Sequence, residues 1–510
     1  MLPSQGRFSS SAARAWLTGV GRVARCALLA AVAAMLAAPA AQAVPLFARQ
    51  TGQNCVSCHA GGQFPELTQY GRLFKLTAYT MGDRVNVPLS AMGVLSVSRV
   101  RDTSKSDAPA DDFQKNGAPL LAMGSVFTGG KITDNVGAFV QVTYDNYAGR
   151  STTPDGNNGK FLGHSGADNM DFRYADRFIG PTHDVIFGVS LNNGPSVTDP
   201  WNSAAAWMQY VPVPTPTSSQ FVDGRAPYPA YPASRISGLN TYVYWNQMVY
   251  AEVGAYGTAN KGLSFMSTGT RDSATSRLAG FNNPYWRVAL TRQWGAHNFM
   301  VGTSGMVTHL YDNGSDISDP NNLSRIRNTG VDAQYQYILD PHTVTAQIAY
   351  MRQQQTYSVN QIANAAPVYF QADGVTPVDP VNPSDTTKTL RAKLSYVYQA
   401  KYGASLAYFD RSGRPNTLNQ TAGYDSTGLI TSNDPNGTNI TSTRVTGNLT
   451  GNPSTRGFTY EAFWLPVQYV RVGVQYTAYN KFNGASDNYD GFGRNARDNN
   501  TLFLYVWGAY

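Results

Sequence analysis

From about residue 91 onward, apolar and polar positions alternate with a period of two. In residues 390–398, Leu390, Ala392, Leu394, Tyr396 and Tyr398 share one face, and Arg391, Lys393 and Ser395 share the other. The pattern recurs with Met170, Phe172 and Tyr174 against Asn169, Asp171 and Arg173, and with Val331, Ala333, Tyr335 and Tyr337 against Asp332, Gln334 and Gln336. Val470, Val472, Val474 and Tyr476 likewise oppose Arg471, Gly473 and Gln475. Such stretches predict strands with one apolar and one wet side. A soluble sandwich alternates in the same way, so alternation alone leaves the architecture open.

The spacing between strands narrows it. Sixteen candidate strands follow one another, the first near residue 91 and the last near 499. Short turns fall near 130–134, 179–182, 246–247, 295–296, 340–341, 400–401 and 466–467, and every other link is a long polar loop such as 411–454. An even number of strands, each about 10 residues long, with short turns at one end and long loops at the other, is the pattern of an outer-membrane barrel. Lipid offers the backbone no water, so each N–H and C=O must pair within a closed sheet. The expectation is therefore an all-β, porin-like antiparallel transmembrane barrel of about sixteen strands over residues 91–510, with both of its ends on the periplasmic side. Its final stretch, Leu502 to Tyr510, is an aromatic terminal strand.

The N-terminus reads differently. Arg7, Arg14, Arg22 and Arg25 form a basic leader without acids, followed by an apolar run from Ala27 to Ala40 and the small-x-small site Ala41-Gln42-Ala43. This is the pattern of a cleaved secretory signal over residues 1–43, with an apolar run too short for the ~20 residues of a membrane-spanning helix. Its removal changes the charge balance. Of 39 basic residues four leave with the leader, so 35 face 32 acidic ones and the net charge falls from +7 to +3. No Lys/Arg stripe of the kind that neutralises phosphates remains, and no nucleic-acid partner is implied.

Cys26 also leaves, and the two remaining cysteines stand in Cys55-Val56-Ser57-Cys58-His59. Two thiols three positions apart can form thioethers to the two haem vinyl groups, and the adjacent imidazole then ligates the iron. Cys55 and Cys58 are thus expected to bind one covalent haem c, with His59 as proximal iron ligand. A disulfide oxidoreductase would need a thioredoxin-like strand and helix around the pair, and residues 44–80 show no such pattern. Met81 is the candidate distal ligand, with Met92, Lys75, a distant histidine or an open position as alternatives; His164, His183, His297, His309 and His342 read as loop or turn residues. Leu67, Tyr70 and Phe74 predict a short helix after Pro65, placed to cover one haem face. Residues 44–90 are too few to enclose a haem unaided, so they are expected to form a mainly helical or irregular cytochrome segment that plugs the lumen.

Composition adds two details. Charged residues are 14% of the 510, below the usual ~25%, while aromatics reach 12% with 31 tyrosines. Tyr and Trp are favoured where a ring meets both lipid and headgroup, so interfacial girdles are expected. Arg173, Arg287, Arg391, Lys393 and Arg471 are inward candidates that lean basic. The third long loop, 193–232, carries Trp201, Trp207 and the stiff run Val211 to Pro216, and either folds inward to narrow the pore or stays outside.

Signal, solitary haem motif and sixteen-strand pattern together resemble the outer-membrane fused cytochrome–porins, whose best-known members are iron oxidases of iron-oxidising bacteria. Leu46-Phe47-Ala48-Arg49-Gln50-Thr51-Gly52 before the motif and Tyr70-Gly71-Arg72-Leu73-Phe74-Lys75-Leu76 after it are similar to that group's cytochrome segment. The resemblance implies an Fe(II):cytochrome c oxidoreductase activity in the bacterial outer membrane. An extracellular donor, Fe(II) before others, gives an electron to the haem, which passes it to a periplasmic c-type cytochrome. The competing reading is a solute-diffusion porin with a haem appendage or sensor on its periplasmic side. A haem enzyme with an open sixth position would need a distal acid–base residue, and the sequence offers no convincing one.

Overall fold

The computed structural model describes residues 45–62, 66–102, 117–150, 161–203, 235–267, 277–311, 315–365, 376, 380–420, 447–491 and 493–510. The expected leader, Phe64, Pro65, Trp207 and the proline run after it lie outside the described residues.

The alternating stretches become strands. In the first half these are β1 Leu89–Val100, β2 Pro119–Lys131, β3 Val136–Arg150, β4 Phe161–Ile179, β5 Asp184–Asn192, β6 Ile236–Trp245, β7 Val249–Thr258 and the two-residue β8 Arg277–Leu278. The second half holds β9 Asn283–Trp294, β10 His297–Tyr311, β11 Leu323–Leu339, β12 His342–Thr356, β13 Ser384–Tyr398, β14 Tyr402–Ser412, β15 Thr455–Val467, β16 Val470–Lys481 and β17 Thr501–Ala509. Among the described residues the sheet has 17 strands, and setting aside β8 leaves sixteen that form the wall. Each wall strand pairs antiparallel with its neighbours in sequence, and β7 skips β8 to pair with β9. β1 pairs with both β2 and β17, in a register that sets Met92 opposite Ala509, so the sheet closes with no free edge. The aromatic terminal stretch is the strand that completes the ring.

Short links join β2 to β3, β4 to β5, β6 to β7, β9 to β10, β11 to β12, β13 to β14 and β15 to β16. They share one rim with the start of β1 and the end of β17. Long loops occupy the other rim.

The two faces of each strand differ as the alternation predicts. On β13 Leu394, Tyr396 and Tyr398 are exposed, while Asp385, Thr387, Thr389 and Arg391 are buried. Leu239, Val253, Leu290, Val301, Val331 and Ile348 continue the outward apolar surface. No helix among the described residues is long and apolar enough to cross a membrane. Trp245, Trp294, Tyr398, Tyr402 and Trp464 are exposed close to the short turns, as a girdle requires. The girdle accounts for only part of the tyrosine content. Tyr242, Tyr244, Tyr250, Tyr256, Tyr285 and Tyr505 are buried, and on β6 the buried Tyr242 and Tyr244 alternate with the exposed Val243 and Trp245.

The expected basic lean of the lumen is offset by pairing. Arg173 contacts Asp171 at 2.6 Å, Arg287 contacts Asp332 at 2.8 Å and Asp199 at 3.3 Å, and Arg471 contacts Glu461 at 2.8 Å. Burying an unpaired charge is costly, so a filled lumen carries acids beside its bases.

Candidate functional site

The lumen is filled from both ends. From the short-turn end comes the N-terminal segment, made of α1 Pro45–Thr51, α2 Cys55–Cys58 and α3 Gln69–Leu76. The predicted short helix is α3. Thr68 caps it by accepting a hydrogen bond from Gly71 N at 3.2 Å, and its buried face carries Arg72, Phe74, Lys75 and Leu76.

Polar contacts tie this segment to the wall on several sides. Gln50 on α1 accepts from Lys131 N at 3.0 Å, and the Phe47 ring stands 6.0 Å from that of Phe139 on β3. Arg72 donates to Asn298 at 2.8 Å and to Gln336 at 3.1 Å. Tyr79 donates to Asp171 at 2.6 Å, and Tyr242 donates to the Leu76 carbonyl at 2.6 Å. At Gly137 on β3 a Cβ would strike the Ala78 carbonyl, so the chain touches the wall backbone there.

The third long loop supplies the other half of the filling. Its described part, 193–203, turns inward: Trp201 is buried with its ring 5.4 Å from Tyr250, and its carbonyl accepts from Gln334 at 3.2 Å. Lys75 at the end of α3 donates to the Asp199 carbonyl at 2.8 Å, so loop and segment meet inside the barrel. Burial, with Arg173 nearby, pushes the Lys75 ammonium down to about 8.

The motif Cys55 to His59 lies at the short-turn end of this filling, not midway up the barrel. Cys55 Sγ is 4.0 Å from the carbonyl of Gln468 in the β15–β16 turn, and a Cβ at Gly62 would meet Ala400 in the β13–β14 turn. α2 puts both thiols on one helical turn, closed by His59 N donating to Cys55 O at 2.8 Å. Among the described residues neither thiol is in a disulfide. α3 lies directly on this turn, since a Cβ at Gly71 would strike the Cys58 carbonyl. His59 bridges to Leu67, and Ala60 N donates to Glu66 O at 2.9 Å. Burial pushes the His59 imidazole down to about 4, with the Glu66 carboxylate and main chain opposing that shift. The ring is therefore neutral near pH 7, the form that ligates iron. Two thiols on one turn followed by a neutral imidazole fit a covalently attached haem.

The distal candidates stand elsewhere. The Met81 carbonyl accepts from Gln50 at 2.9 Å on the α1 side, whereas the turn after His59 packs toward Val397 on β13. Met92 faces the lumen from β1 in a cluster with Met123, Phe127, Tyr505 and Trp507. Lys75 is committed to Asp199. At the short-turn rim His183 lies in the β4–β5 turn, while His297 and His342 open β10 and β12; they stand beside Trp245, Trp294 and Tyr396 respectively.

Alternation marks Lys393 and Arg471 as inward, but their acidic partners Glu66 and Glu461 give no signal in the sequence. Glu66 pairs with Lys393 at 2.6 Å, and Arg471 with Glu461, around a small space beside Ala60. Burial alone would raise the Glu66 carboxyl, but Lys393, through its charge and its hydrogen bond, together with the Glu66 main chain and Arg471, holds it below its ordinary value.

No family model and no curated protein matches the chain. Among solved structures it is similar to Salmonella typhi OmpF in complex with daunomycin, at 12% identity, 83% of this chain, 97% of that one and a TM-score of 0.41. The outer membrane channel DcaP of Acinetobacter baumannii matches at 12% identity, over 83% and 96% of the two chains, with a TM-score of 0.40. These likenesses concern the fold.

Proposed function

We propose that the chain is an outer-membrane electron-transfer protein of the fused cytochrome–porin kind. It accepts electrons from an extracellular donor, most simply Fe(II), and passes them to a periplasmic c-type cytochrome. The observation that carries this reading is that Cys55, Cys58 and His59 share one turn of a segment inserted into a closed lipid-facing barrel. One haem c, held by thioethers from Cys55 and Cys58 with His59 on the iron, would supply reversible one-electron chemistry. Met81 and Met92 remain the thioether candidates for the far side.

The chain's own residues supply the rest. Short turns of outer-membrane barrels face the periplasm, so the motif stands at the mouth where a soluble acceptor docks, with the exposed Gln53, Asn54 and Val56 at its edge. Buried pairs and rings between the segment, 193–203 and the wall exclude bulk water and oppose solute passage. In this reading residues 1–43 are the export signal and 44–90 the cytochrome segment.

The runner-up is a solute-diffusion porin with a haem appendage, favoured by the strand number alone, since sixteen-stranded porins leave an aqueous channel. One preparation tests both. Haem-loaded protein in liposomes is given external Fe(II), and reduction of an enclosed cytochrome c is followed together with ion leakage. The proposal expects internal reduction that depends on Cys55 and Cys58, with little leakage. Leakage without reduction overturns it in favour of the porin.

A further inference from the structure

The space beside Ala60 is faced by four charges in two pairs, Glu66 with Lys393 and Glu461 with Arg471. Glu461 also accepts from Tyr505 at 2.6 Å and from Ser405 at 3.0 Å, so the second pair is anchored wholly within the wall. The first pair is different. Glu66 belongs to the N-terminal segment, while Lys393 Nζ reaches it at 2.6 Å from β13, 327 residues away. Glu66 is also tied to the ligand turn through its carbonyl, which accepts from Ala60 N at 2.9 Å, and its neighbour Leu67 bridges His59.

Reduction of a haem adds one electron and makes or breaks no bond, so its midpoint potential responds to the fixed charges around it. A nearby carboxylate without a counter-charge disfavours the added electron, and an ammonium without one favours it, more strongly where water is excluded. Axial ligands are one lever on a haem potential, and the surrounding charges and hydrogen bonds are another.

We propose that the Glu66–Lys393 pair is a potential-setting latch. The cation on the barrel wall holds Glu66, and with it the Ala60 and Leu67 links to His59, in place and neutralises the carboxylate beside them, so that the barrel takes part in setting the haem's potential. Both residues are positioning residues, acting through the turn that carries His59. The inference rests on the reading of Cys55, Cys58 and His59 as a haem site.

The test is a spectroscopic redox titration of the full-length haem-loaded protein in detergent, with haem content measured on each sample. Lys393→Gln removes the paired cation of a buried carboxylate, leaving only the weaker influence of Arg471, and should lower the midpoint potential. Glu66→Gln strands an ammonium and should raise it, by less, because the Lys393 side chain is 28% exposed against 7% for Glu66. The double variant should return close to wild type, and Lys393→Arg, which keeps the charge, should stay there. If Lys393→Gln does not assemble, the upward shift of Glu66→Gln set against an unmoved Lys393→Arg decides. Potentials that stay put or move in the same direction while haem is retained overturn the latch and leave the haem site standing. A wild-type protein without covalent haem overturns the haem site and the latch together.

Discussion

The two faces of a single strand of this barrel live in different solvents. On β13 the outward Leu394, Tyr396 and Tyr398 meet lipid and need only be apolar or amphipathic. The inward Asp385 and Lys393 meet other protein, where Tyr357 and Arg414 serve Asp385 and Glu66 serves Lys393. A water-filled lumen would solvate such groups one by one. Here residues 45–62, 66–83 and 193–203 fill the space, so the inner face behaves as a polar core, in which the cost of an error is set by what it leaves unpaired.

That difference sets an order of sensitivity. Arg287→Ala should be the most damaging of four changes, because it strands Asp199 and Asp332 in the interior; we expect a loss of about 3–5 kcal/mol in denaturant unfolding from lipid. A loss below 1 kcal/mol would mean that water reaches the lumen. Val301→Arg, on the outward face of β10, should cost about 2–4 kcal/mol in a bilayer if it lies near the midplane, and much less in a small flexible micelle. Equal effects in the two media would deny that this face meets lipid.

Lys75 gives a pH signature. Its ammonium is charged in folded and unfolded states below pH 8, so the burial penalty is then present in full. Between about 8 and the unfolded value of about 10.4 the unfolded chain binds more protons, and stability should rise with pH. Lys75→Met should flatten the slope between pH 8 and 9.5, and an unchanged slope would place Lys75 in water. Asp134, exposed on the β2–β3 turn and paired with Lys131 at 2.8 Å, marks the other extreme. Asp134→Asn should leave the unfolding midpoint where it was, since exposed pairs contribute little.

The outward half of this architecture was legible because lipid imposes a simple rule on every second residue and turn length imposes another. Those two rules located the strands and the closing β17. The motif stands out in the sequence because Cys55, Cys58 and His59 are contiguous, the spacing that covalent haem would need. The inner face was not, because its logic is one of distant partners: nothing near Glu66 announces Lys393, and nothing near Asp199 announces Arg287 and Lys75. Strand β6 shows the same limit, since Tyr242, Val243, Tyr244 and Trp245 are all apolar or aromatic and parity alone cannot say which rings face inward. Loop 193–232 was undecided in the sequence for the same reason, as an inward path is favoured only by what it meets there. The candidate donor set was thus visible in the sequence, while its surroundings needed the fold.

The central claim is that this barrel carries one haem fixed to the segment inside it. Intact-protein mass spectrometry of the membrane-extracted chain, paired with an alkaline pyridine spectrum, tests it most directly. The account predicts the mass of the processed chain plus a single haem, lost when Cys55 and Cys58 are both replaced by serine. An unmodified mass from cells competent in cytochrome c maturation would contradict it.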